Sequence, residues 1–368
     1  MGGTVHPRAA LPALSLVLGA MTLAVGTGLG VRPLVVQGLA GQALLGLTLL
    51  VLGLGATLWG AVGLLRGVRR RWWFLAVPAG LLFVATLLGT LGVAVMADFP
   101  PRPPLGSSTP GDLDLEFDDV TFSAADGVRM SGWYVPSRNG AAVVLLHGAG
   151  STRSAVLEHA GVLARAGYGV LLYDARGHGR SSGRGMDFGW WGESDLRGAV
   201  DLVLDQPDVT GHRVAIVGLS MGGEQAIGAA GADPRVGAVV AEGATNRVWA
   251  DKAYLDEYGW RGSVQRGIDW LTYGATGLLT RAPEPESLRR SVAAAARRSE
   301  PPRFLLITAG RVADEGYAAQ RLRAAAPALV QIWTVPGAGH IAGLKVARSQ
   351  WEDRVLGFLD EALSPAAG

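Results

Sequence analysis

The 368-residue chain contains no cysteine. That absence excludes disulfide staples, thiolate metal sites and a cysteine nucleophile, and it leaves the compartment open. No acidic residue precedes Asp98, while Arg8, Arg32, Arg66, Arg69, Arg70 and Arg71 do. The formal charge of +2 therefore combines a basic N-terminal region with a mildly acidic remainder. Also lacking are a Lys/Arg-rich run interleaved with aromatics in the globular part, a phosphate-cradling glycine loop, a dinucleotide fingerprint and a metal-ligand cluster. Nucleic acid is accordingly not expected as a partner, and no cofactor or metal is expected.

What the N-terminal region has is apolar length. Leu11–Val31, Gly41–Leu65 and Trp72–Ala97 are each close to the roughly 20 residues that cross a bilayer as helix. Arg32 interrupts none of them. A secretory signal would carry one shorter apolar run and a cleavage site, so residues 1–98 are expected to be an anchor of three transmembrane helices. Arg66, Arg69, Arg70 and Arg71 lie in the short loop between spans two and three, which places that loop in the cytoplasm. His6 and Arg8 then lie inside, Arg32 lies in the outer loop, and everything after span three is extracytoplasmic. Trp72 and Trp73 suit the membrane interface. Gly26 and Gly30 would let helices approach closely. Residues 99–111, opening with Pro100-Pro101-Arg102-Pro103-Pro104, read as a stiff Pro/Gly/Ser-rich linker.

From residue 112 to 368 the pattern changes to short apolar runs alternating with amphipathic segments. Val120–Ala124 and Val128–Val135 predict a hairpin. Ala142–Leu146, Gly169–Tyr173, Val214–Leu219, Val236–Ala241, Phe304–Thr308 and Val330–Val335 predict buried parallel strands. Such alternation implies a doubly wound α/β sheet with its ligand site outside the carboxyl ends of the strands. The strand Val214–Leu219 delivers Ser220 into Gly218-Leu219-Ser220-Met221-Gly222, ahead of a small-residue helix. This is a G-x-S-x-G nucleophile elbow in its strand–turn–helix context.

Five elements in order resemble the α/β-hydrolase superfamily: His147-Gly148-Ala149-Gly150, Asp174-Ala175-Arg176-Gly177-His178-Gly179, the elbow, an acidic turn at 310–315 and Gly337-Ala338-Gly339-His340. The resemblance spans the globular part. It is nearest to bacterial serine-aminopeptidase-like and dienelactone-hydrolase-like members, membrane-anchored ones included. It implies an α/β-hydrolase sheet, a serine nucleophile, and structural roles for His147 and His178.

A serine hydroxyl needs a neighbouring base to become a nucleophile, and His340, on a Gly-rich loop after the last strand, is the candidate. His159 and His212 read as solvated. An acid must hold the imidazole. The superfamily's turn is Gly-x-x-Asp, whereas Gly310-Arg311-Val312-Ala313-Asp314-Glu315 carries its acid one residue later. Asp314 is favoured, with Glu315 and Glu242 as alternates. The backbone amides of Ala149 and Met221 are expected to form the oxyanion hole. The insertion at about 245–301 concentrates Trp249, Tyr254, Tyr258, Trp260, Trp270 and Tyr273, and reads as a helical lid. Trp190 and Trp191 are candidates to line the same cleft.

The expected activity is that of a membrane-anchored serine hydrolase acting by Ser-His-Asp acyl transfer on an ester, thioester or amide of a small-molecule, lipid or peptide substrate. Three rivals differ in testable ways. A cytoplasm-facing acyl-protein thioesterase would need the opposite topology, an aminopeptidase-like amidase an acidic pocket for the ammonium group, and a non-catalytic scaffold an unreactive Ser220. The sequence does not specify the oligomeric state.

Overall fold

A computed structural model describes residues 7–363; His6 lies outside the described residues. The chain divides into two compact units. One holds the residues up to Pro101 together with Val264–Arg281, and the other holds Arg102–Ser263 with the residues from Ala282 onward.

In the first unit, α1 (Pro7–Gln37) and α2 (Gly41–Gly67) form a hairpin of helices. Next come α3 (Trp73–Leu87), a π turn at Leu88–Gly92 and α4 (Val93–Asp98). Ala9–Gln37, Gly41–Gly67 and Arg70–Asp98 are each long and apolar enough to cross a membrane. Apolar contact alone cannot hold such helices together where lipid competes equally, so close backbone approach must. Gly46, Gly53 and Gly60 supply it, at every seventh position of α2. A methyl group added at Gly46 would lie 2.3 Å from the Gly30 nitrogen, and one at Gly53 would lie 2.3 Å from that of Leu23. The outward positions, such as Leu45, Val51 and Leu82, are exposed.

The second unit is built on one eight-stranded sheet: β1 (Asp118–Ser123), β2 (Arg129–Val135), β3 (Ala142–Leu146), β4 (Gly169–Tyr173), β5 (Val214–Leu219), β6 (Val236–Glu242), β7 (Arg303–Ala309) and β8 (Val330–Val335). Their order is β1-β2-β4-β3-β5-β6-β7-β8. β1 and β2 are antiparallel, β2 runs antiparallel to β4, and the six strands from β4 to β8 are parallel. The doubly wound sheet expected from the alternation of apolar runs is present. β3 to β6 are buried along their full length, as their unbroken Val/Leu/Ala runs require of strands covered on both faces.

Alternate residues of each strand feed two cores. On one face, Val144, Leu146 and Ile216 pack with α6 (Gly192–Leu204), α7 (Met221–Ala232), α9 (Leu288–Ala295) and α10 (Ala313–Arg323). On the other, Val143, Leu145 and Val217 pack with α5 (Leu157–Arg165), α11 (Gly343–Val346) and α12 (Arg348–Leu363). His159, expected to be solvated, is instead buried in this second core, its ring edge-on to Trp351 at 5.2 Å. Burial pushes its pKa down to about 4, so the ring is neutral there.

Two connecting segments carry contacts of their own. In the linker, Arg102 donates to the carbonyls of Gly179, Ser181 and Gly183, fastening the strap to a loop of the sheet domain. The 245–301 insertion is divided. A 3-10 stretch, Trp249–Tyr258, and α9 belong to the hydrolase unit, whereas most of α8 (Trp260–Thr280) is grouped with the N-terminal helices.

Candidate active site

Every group of the candidate site sits at the carboxyl end of a strand, where parallel strands leave their loops free to converge. Ser220 follows β5. Its backbone has φ +53° and ψ −120°, a strained turn for a residue with a side chain, and its nitrogen donates to the Glu242 carbonyl at 2.7 Å. The turn closes only because Gly218 has no side chain, since a methyl there would lie 2.2 Å from the Gly222 carbonyl oxygen. Strain of this kind survives where the surroundings over-determine it.

His340 follows β8. Its Nε2 lies 2.9 Å from Ser220 Oγ, and its Nδ1 lies 2.7 Å from Glu315 Oε1. The acid that meets the imidazole is therefore Glu315, which corrects the preference for Asp314. Glu315 is buried in the first turn of α10, and its second oxygen accepts the Ala309 amide at 2.7 Å. Asp314, one residue earlier and so about 100° around the helix, faces elsewhere. It accepts the Tyr258 hydroxyl at 2.6 Å and that of Tyr254 at 3.5 Å. Glu242 is a support. It accepts the Gly343 amide at 2.7 Å and Trp351 Nε1 at 3.1 Å, fixing the loop that follows His340.

The hydrogen bond that His340 donates to Glu315 raises the His340 pKa above its ordinary 6.5; burial opposes the shift, and the charges of Glu315, Glu224 and Glu242 add to it. With Glu315 accepting at Nδ1, that nitrogen carries the proton and Nε2 is free to accept from Ser220. Glu224, one turn into α7, was not singled out from the sequence. It is buried, and its pKa is pushed up to about 7 by that burial. Its Oε1 accepts the amides of Thr245 at 3.0 Å and Asn246 at 2.9 Å. These amides belong to the loop that begins at Gly243, where φ is +73° and where a methyl would lie 2.9 Å from His340 Cε1. Glu224 thus holds the loop against which the imidazole rests. Four residues after the nucleophile, the one carboxylate of a mostly small and apolar helix was the available signal.

At the other side of Ser220, the turn after β3 comes close enough that a methyl on Gly148 would lie 3.3 Å from Ser220 Cβ. Ala149 follows on an exposed turn, and Met221 begins α7 immediately after the nucleophile. His147 Nε2 accepts the Ala175 amide at 2.9 Å, and His178 Nε2 accepts the Gly150 amide at 3.3 Å. Both imidazoles therefore brace the loop that carries Ala149. Trp190 and Trp191 line a cleft of about 950 Å³ with Pro283–Glu286 and Arg290. Its walls include neither Ser220 nor His340, while a small recess brings Trp191 together with His178, Met221 and Gln225.

Sheet order and strand-end chemistry together define an α/β hydrolase, and the chain belongs to the α/β-hydrolase superfamily. Within it, residues 137–273 match the family model described as serine aminopeptidase, S33. An esterase of Pyrococcus furiosus, Pf2001, superposes with a TM-score of 0.55 at 25% identity, over 72% of this chain and 98% of that one. An uncharacterized protein of Mycobacterium tuberculosis is 37% identical over 115 residues, 30% of this chain and 40% of that protein. The thiohydrolase aneE of Aspergillus aculeatus is 33% identical over 129 residues, 34% of this chain and 40% of that protein. The chain thus aligns with well under two thirds of these curated relatives. The fold and these likenesses are those of hydrolases, with an esterase and a thiohydrolase among the similar proteins.

Proposed function

We propose that the protein is a membrane-anchored serine hydrolase that cleaves carboxylic esters or thioesters through Ser220, His340 and Glu315. One observation carries this reading, the unbroken hydrogen-bonded line from Ser220 Oγ through the imidazole to a buried carboxylate. Ser220 Oγ attacks the substrate carbonyl carbon while His340 Nε2 takes its proton. Glu315 holds the Nδ1 proton and stabilises the imidazolium that results. The amides of Met221 and Ala149 receive the carbonyl oxygen as it becomes an oxyanion. The tetrahedral adduct collapses, the bond to the leaving oxygen or sulfur breaks, and His340 returns the proton to that atom. Water, deprotonated by His340, then releases the acid and restores Ser220.

Esters and thioesters are favoured over peptides because, among the described residues, the glutamates near Ser220 are already engaged and offer no carboxylate to receive a substrate ammonium. Glu224, Glu242 and Glu315 are all bonded to backbone or imidazole. The likeness to a P. furiosus esterase and to a fungal thiohydrolase supports the same class. Residues 7–98 anchor this enzyme as three spans. The arginine-rich 66–71 loop lies in the cytoplasm and the hydrolase on the opposite side.

Fluorophosphonate labelling of the full-length protein, read by intact mass, tests the chemistry. A single adduct on the wild type, lost in Ser220→Ala, is the expected outcome. A folded wild type that takes no adduct beside an active control hydrolase would show that the serine is not activated.

A further inference from the structure

Helix α8 is amphipathic with its faces exchanged. Trp260, Val264, Gly267, Leu271, Gly274 and Leu278 recur at steps of four and three, which lays them along one stripe of the helix. This apolar stripe points outward: Trp260 is 74% exposed and Leu278 83%. Trp270, beside the stripe, is 60% exposed. On the opposite side the buried residues are Thr272, Tyr273 and Thr276. A surface helix in water turns its apolar stripe to the core and its polar residues outward. The exposed Leu45, Val51 and Leu82 of the membrane-length helices have the same outward preference as α8. From Val264 to Arg281, α8 belongs to the same compact unit as those helices.

We propose that α8 is a fourth membrane element, lying along the bilayer with its Trp260–Leu278 stripe against lipid acyl chains. The proposal rests on the membrane reading of residues 7–98 and extends it to a segment inside the hydrolase sequence. Lipid is the occupant because α8 from Val264 onward is grouped with three helices of membrane length whose outward residues are apolar, as its own are. The tryptophans suit the interface, where an apolar ring and a polar N–H are both accommodated. The helix does not cross. Its 21 residues would measure about 32 Å, enough to traverse the hydrocarbon core. However, Leu288 is already part of the sheet's core, and β6 and β7 pair side by side. A crossing would have to be reversed by residues 281–287, which reach at most about 25 Å and carry Arg281, Glu284 and Glu286.

The natural absence of cysteine permits single-cysteine substitutions in the full chain. Leu271→Cys and Leu278→Cys would be labelled in detergent with a small fluorophore. They would then be transferred to phosphatidylcholine/phosphatidylglycerol nanodiscs with and without doxyl-labelled lipid. Leu82→Cys serves as the anchor reference, Ser107→Cys as the aqueous one, and fluorophosphonate labelling verifies folding. Quenching at 271 and 278 comparable to that at 82, with none at 107, is expected. Quenching at 82 with none at 278 would place the helix in water and overturn the proposal while the anchor stands. No quenching at 82 would remove the membrane reading and the proposal with it. A fluorophore at 278 that is unquenched in nanodiscs yet shielded from aqueous quenchers in native membranes would identify a protein partner, also overturning it.

Discussion

At the scale of single residues, the chemistry turns on which of two adjacent carboxylates meets His340. Glu315 does so with one oxygen and accepts the Ala309 amide with the other, so the strand end and the imidazole share one rigid carboxylate. Replacing Glu315 with Gln keeps the shape but removes the charge that stabilises the imidazolium, and kcat should fall roughly 10³- to 10⁴-fold. Asp314→Asn, which alters only the carboxylate that accepts from Tyr258 and Tyr254, should leave kcat within a few-fold. The pH profile separates the two further. If His340 is the general base, as proposed, it must be neutral to act, so kcat/KM rises as pH passes the His340 pKa, which the fold raises above 6.5. Without the glutamate charge that pKa drops, and the acidic limb of the Glu315→Gln profile should move to lower pH. An unmoved limb would mean that Glu315 does not set the base. Ser220 and His340 were both candidates from local sequence, one from its glycine frame and the other from its loop after the last strand, and their side chains meet at 2.9 Å. The acid was not, because its selection depends on how far α10 is rotated about its own axis.

At the scale of elements, glycine does opposite things in the two units. In the sheet domain it permits a turn, as at Gly218. In the helical hairpin it permits contact, with Gly46, Gly53 and Gly60 opening a groove along α2 into which the α1 backbone settles. Gly53→Leu inserts a side chain where a single methyl would already stand 2.3 Å from the Leu23 nitrogen. The overpacked hairpin should lose roughly 1–3 kcal/mol or more. Thermal unfolding in detergent would record this as a lowered Tm, whereas Gly55→Leu, at a position with nothing near it, should melt as the wild type does. The insertion after β6 illustrates the limit of element-level reading. Its aromatic content signalled a cover, and periodicity signalled a helix. Which side of α8 would be outward could not follow from periodicity, because a moment has magnitude and direction but no knowledge of what surrounds it.

For the whole molecule, the orientation of the proposed anchor has the widest consequence, since it would decide which compounds reach Ser220. Arginine bias predicts that the hydrolase faces away from the cytoplasm. Alkaline phosphatase, active only outside the cytoplasm, should be active when fused after Ser107 and inactive when fused after Gly67. The reverse pattern would assign the enzyme to cytoplasmic substrates. The strap that Arg102 fastens to the 179–183 loop leaves few residues between the end of α4 and the sheet domain.

Much of this protein follows from covalent order alone. The membrane-length helices, the eight strands and the elbow arise from hydrophobic period, run length and glycine spacing, all local properties that act over a few residues. The superfamily resemblance rests on the same local signals taken in order. Tertiary structure decided what depends on rotation and on distant neighbours. It selected Glu315 over Asp314, buried His159 against Trp351, and recruited Glu224 to hold the loop beside His340. It also turned the apolar stripe of α8 outward. In each case the deciding contact joins segments far apart in the chain, and packing sets which face of a helix or ring meets its neighbour.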